Sequence, residues 1–88
     1  MDIENRATKI LLKTMPTFMA EELIDLYKIK APYKQILIAT CLLDKDQFEA
    51  MSWLKREHNI YLGFRTFTRK QAKALEMFRT AHILYEKR

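Results

Sequence analysis

Eighty-eight residues, 49% of them hydrophobic and together carrying a net charge of +5, suffice for one packed domain, residues 1–88, and leave no room for a second. One glycine and two prolines exclude a turn-rich β architecture, and Cys41 as the only cysteine excludes an internal disulfide or a multi-cysteine zinc site. With no secretory leader and no apolar run long enough for a bilayer, the composition predicts a cytoplasmic, all-α chain of four to five short helices with no membrane partner.

The first helix is expected over Met1–Met15. Asp2 is its N-cap, and Glu4 sits where the helix dipole favours an acid. Ile3, Ala7, Ile10 and Leu11 recur at three- to four-residue spacing and give the expected buried stripe. Pro16 ends this helix by pushing the residue before it out of the α region. Thr17 then caps a second helix, Phe18 to Lys30, with Ala20, Leu23, Ile24 and Tyr27 inward.

Pro32 restarts the chain into a third helix, Tyr33 to Leu43, whose segment from Ile36 to Leu43 is apolar almost all round. Such a helix belongs at the centre of a bundle. A buried strand is the competing reading, and the leucines and alanine favour the helix. Asp44 is expected to open the fourth helix with Gln47 as its capping-box partner, and Asn59 to stop it after His58. Phe48, Met51 and Leu54 form its inward stripe, while Trp53 points away from them.

Ile60 to Phe67 does not read as helix. Its aromatic and β-branched residues, broken by Gly63, predict an extended connector or a short strand. Thr68 and Gln71 form a further capping box, and the fifth helix follows from Arg69 to near the C-terminus. On it Gln71, Ala74, Leu75, Phe78, Ala81, His82 and Tyr85 share the core face.

Catalysis has no motif here: no glycine-rich phosphate loop, no H-E-x-x-H, no C-x-x-C and no G-x-S-x-G. His58 and His82 read as ordinary structural histidines, and Asp44 and Asp46 as helix N-terminal acids. No catalytic residue, metal or cofactor is expected.

Charge is unevenly placed. Residues 64–88 hold seven basic and two acidic residues, while residues 1–63 hold nine of each. The entire net charge therefore lies on the last helix and its lead-in. Arg65, Arg69, Lys70, Lys73, Arg79 and Lys87 are the candidate phosphate ligands, flanked by Arg88. Tyr61, Phe64 and Phe67, interleaved with Arg65, are candidates for stacking unpaired bases. The first functional reading is thus a nucleic-acid-binding regulator.

A second reading is an inhibitor or adaptor that docks on an acidic protein surface or on a second copy of the chain. Trp53, Met77 and Leu84, apolar residues outside the expected core stripes, would carry it. A third is a structural subunit charged for solubility alone. Helices three and four resemble a helix-turn-helix in length only. With Ala39 at the small-residue position of the first helix, the usual turn glycine becomes Leu43, and Glu49 and Ser52 fall on positions expected to be buried. The general build is similar to small phage- or plasmid-encoded regulators, without a shared motif.

Overall fold

The computed structural model describes residues 2–87; Met1 and Arg88 lie outside the described residues. Five helices follow in order: α1 Ile3–Thr14, α2 Thr17–Leu26, α3 Tyr33–Leu37, α4 Gln47–His58 and α5 Phe64–Glu86. α3 continues without a break into a π-helical turn, Ile38–Leu42. There the Leu43 amide reaches back to the Ile38 carbonyl, and the Thr40 hydroxyl donates to the Ile36 carbonyl at 2.7 Å. That side-chain bond competes for an acceptor the regular ladder would use. The all-α reading stands, and among the described residues no strand forms.

Local chemistry explains most boundaries. The Asp2 side chain accepts from the Asn5 amide at 2.7 Å and caps α1. α2 ends earlier than Lys30, at Leu26, in a Schellman turn. Lys28 takes φ 58°, the Ile29 amide donates to Ile24, and the Lys28 amide donates to Asp25. Ile24 and Ile29 are buried in the same core, which supplies the apolar clasp typical of that turn. Thr17 is the first residue of α2 and not its cap, the N-cap being Pro16. The cap of α4 is Asp46 and not Asp44. Asp46 and Glu49 bond reciprocally, whereas Asp44 lies in the left-handed region at φ 52° and pairs with Lys13 at 2.6 Å. Asn59, at φ 55°, ends α4.

The non-helical connector covers residues 59–63 only. α5 begins four residues before the Thr68 capping position, directly after Gly63. At 23 residues and a rise of about 1.5 Å each, it runs nearly the whole 38 Å long axis of the molecule. Two apolar clusters line it. Leu12, Ile24, Leu37, Cys41, Leu75 and Phe78 belong to the first, and Ile36, Ala39, Ala50, Leu54 and Phe67 to the second. α3 and its π turn contribute to both, which is why that segment is apolar all round.

The stripe expected in α1 faces the other way, and that of α4 loses only Phe48, since Met51 and Leu54 pack inward as expected. In α1 the buried residues are Asn5, Thr8 and Leu12, while Ile3 is 81% exposed and Ala7, Ile10 and Leu11 also face out. The polar side was chosen because α5 supplies it with partners. Arg79 Nη1 donates to Asn5 Oδ1 at 2.6 Å, and its Nε lies 3.3 Å from Glu4. In α4, Ala50 and Leu54 are buried and Phe48 is 70% exposed. Trp53, expected to point outward, is half-buried against the second cluster and meets the His58 ring edge-on. Among the described residues no helix is long and apolar enough to cross a membrane.

Candidate nucleic-acid interface

The basic residues divide once α5 is folded. Buried Phe67, Ala74, Leu75 and Phe78 fix which side of the helix faces the core. At 100° per residue this leaves Arg65, Arg69 and Lys73 in a row on the opposite side, with Lys70 at its edge. Arg65, Arg69 and Lys73 are exposed and Lys70 is half-buried. Among the described residues no carboxylate lies within 4.0 Å of any of the four. Lys70 Nζ stands 5.2 Å from the centre of the Tyr33 ring, a cation–π contact that holds it beside α3.

Two grooves flank this row and share Arg69. One, of about 370 Å³, is lined by Tyr33, Thr66, Arg69, Lys70 and Lys73. The other, of about 510 Å³, is lined by Phe64, Arg65, Thr68 and Arg69. None of these lining residues is acidic. Gly63 caps α5 without a side-chain acceptor, so the partial positive charge of the helix N-terminus adds to that of the arginines.

Other candidates fall elsewhere. Arg79 does not belong to the ridge. Its bonds to Asn5 and Glu4 make it the clamp between α1 and α5. Phe67 is 0% exposed and presents no face for stacking, because it fills the second core cluster. Phe64, three residues earlier, is 53% exposed and rests 6.0 Å from the Phe48 ring. Tyr61 is exposed with Lys55 Nζ 5.7 Å from its centre. Lys87 is exposed at the far end of α5, about 21 Å along the axis from Lys73.

Of the apolar interface candidates, Trp53 and Met77 pack half-buried against the core, and Leu84 is exposed beside Leu26 and Tyr85. Tyr33 and Phe48 are the site residues that periodicity missed. The signal for Tyr33 was an aromatic at the first position after Pro32. For Phe48 it was a large ring within two residues of a helix cap.

The titratable groups elsewhere have structural explanations. His82 Nε2 lies 3.1 Å from Glu86, and its Nδ1 shares a 2.6 Å hydrogen bond with the Tyr27 hydroxyl. Burial is the main cause of the raised Tyr27 hydroxyl pKa, with the charges of Tyr85 and Glu86 adding to it. Burial likewise pushes the Cys41 thiol up. The Lys13 ammonium, by hydrogen bond and by charge, holds Asp44 below the usual carboxylate range. Among the described residues no three His, Cys, Asp or Glu side chains gather into a metal-binding group. No family model, curated protein or solved structure matches this chain.

Proposed function

We propose that the chain is a small, non-enzymatic cytoplasmic regulator that binds nucleic acid through the first half of α5. The observation that carries this reading is the pair of acid-free grooves sharing Arg69. Arg65, Arg69, Lys70 and Lys73 supply charge for the phosphates, and each phosphate neutralised releases counterions. Phe64 and Tyr33 supply ring surface at the two edges. Retardation of labelled single-stranded and duplex probes at low salt tests the reading. Wild type retards them, and the Arg69→Glu, Lys73→Glu double variant does not. A folded wild-type protein that retards neither probe refutes it.

A second reading, a protein-binding adaptor or inhibitor, is supported by the outward Ile3, Ala7 and Ile10 of α1, which no part of the chain covers among the described residues. An acidic partner or a second copy would cover them. Sedimentation of the wild type and of Ile10→Asp tests the second copy. A monomer at every concentration rules it out.

A further inference from the structure

We propose that Phe48 and Phe64 form a stacking site for unpaired nucleobases, so that the chain prefers single-stranded nucleic acid to duplex. This rests on the nucleic-acid reading of α5 and adds the class of ligand.

The two rings are sixteen residues apart in sequence and meet where the N-termini of α4 and α5 lie side by side. Their centroids are 6.0 Å apart at 36°, and each keeps at least half of its surface in water. A ring pair left this exposed contributes little to the core. The helix ends that carry the rings are nonetheless tied together. Gln47 Nε2 donates to Thr68 Oγ1 at 2.8 Å and reaches the Phe64 carbonyl at 3.5 Å. The Thr68 hydroxyl donates to that same carbonyl at 3.0 Å. These bonds tie the first turn of α4 to the first turn of α5. The rings therefore project from rigid helix ends, not from a loop.

Phe64 lines a groove with Arg65, Thr68 and Arg69, and the Phe48 ring lies 6.0 Å from it. Charge sets the direction of a strand lying there. On the α4 side, Asp46 and Glu49 are locked in their reciprocal capping bonds at 2.8 and 3.1 Å, and their carboxylates repel phosphate. On the α5 side stand Arg65 and Arg69. The sugar–phosphate chain must follow the arginines, which turns its bases toward the rings. Aromatic faces accept any base, because every base has a π-face. In a duplex those faces are already covered by neighbouring base pairs, so a duplex can use the cations alone.

The test compares three probes by fluorescence anisotropy: a pyrimidine oligonucleotide of roughly twelve residues as DNA, the same as RNA, and a duplex of similar charge. Wild type is expected to bind both single strands at least about tenfold more tightly than the duplex, equivalent to roughly 1.4 kcal/mol. Phe48→Leu keeps the apolar bulk and removes the ring. It is expected to lose about tenfold on both single strands, to leave duplex affinity and salt slope unchanged, and to be rescued by Phe48→Trp. Equal affinity for strand and duplex overturns the proposal, as does a Phe48→Leu variant that binds single strands like wild type. A loss confined to the DNA or the RNA arm overturns it too, since stacking does not read the sugar. In each of these cases salt-sensitive binding survives, so the wider nucleic-acid reading is untouched. Absence of binding to all three probes defeats that wider reading instead.

Discussion

Replacing Arg69 and Lys73 with glutamine should roughly halve the salt dependence of binding. Four cations on the first three turns of α5 lack a carboxylate within 4.0 Å among the described residues. If each neutralises one phosphate, the slope of log affinity against log salt is about −3.6 on duplex and about −2.8 on a single strand. Raising salt from about 50 to about 200 mM then weakens duplex binding roughly 150-fold and single-strand binding roughly 50-fold. With two cations left, the slopes fall to about −1.8 and −1.4, and the same change in salt costs only about 12-fold and 7-fold. Arg79→Gln is the internal control. Its guanidinium is committed to Asn5 and Glu4, so it should lower thermal stability while leaving the slope at the wild-type value. Anisotropy titrations across a salt series measure all three proteins. An unchanged slope in the double variant, or a reduced one in Arg79→Gln, would refute the assignment of cations to phosphates.

The buried and exposed phenylalanines should separate sharply in thermal melts. Phe67→Ala empties a fully buried site and should cost about 3–5 kcal/mol, a large share of a total near 5–15 kcal/mol, while Phe64→Ala should cost about 1 kcal/mol or less. Lys28→Gly should stabilise the chain by about 1 kcal/mol, read as a higher denaturant midpoint, because glycine meets no Cβ penalty at φ 58°. The Asp44–Lys13 pair should make acid stability sensitive to salt. With the Asp44 pKa lowered by folding, its contribution is present above the ordinary aspartate value and lost as pH falls through the lowered one; Asp44→Asn should remove that part of the pH profile. The Cys41 thiol has the opposite sign. Raised by burial, it favours the fold below the ordinary thiol pKa and loses that contribution as pH rises toward the raised value, and its alkylation should be slow until denaturant opens the core.

Much of the fold was legible because its signals are local. Asp2 caps α1 through an amide three residues away, and Asn59 ends α4 by adopting a left-handed conformation that asparagine tolerates. The inward face of α5 followed from the spacing of Ala74, Leu75 and Phe78, and the central place of α3 from its lack of a polar side. The candidate site was legible as a concentration of charge but not as a surface. Spacing sets Arg79 about 80° around the helix from Arg69 but does not say what it meets there. The difference is a pair of acceptors on α1, 74 and 75 residues earlier in the chain.

The sequence by itself therefore determined helix content, most helix ends and the placement of the whole net charge on residues 64–88, because backbone caps and helical periodicity depend on neighbours within about four residues. Tertiary structure decided which of two usable faces α1 turned inward. α1 buried Asn5 and Thr8 and left Ile3 and Ile10 outside, since Arg79 offered Asn5 a partner that an isoleucine could not use. It also decided which aromatics became core and which became surface. Phe67 went fully in, Trp53 packed half-buried against the same cluster, and Phe48 and Phe64 stayed out, because burial depends on contacts between residues far apart in the chain.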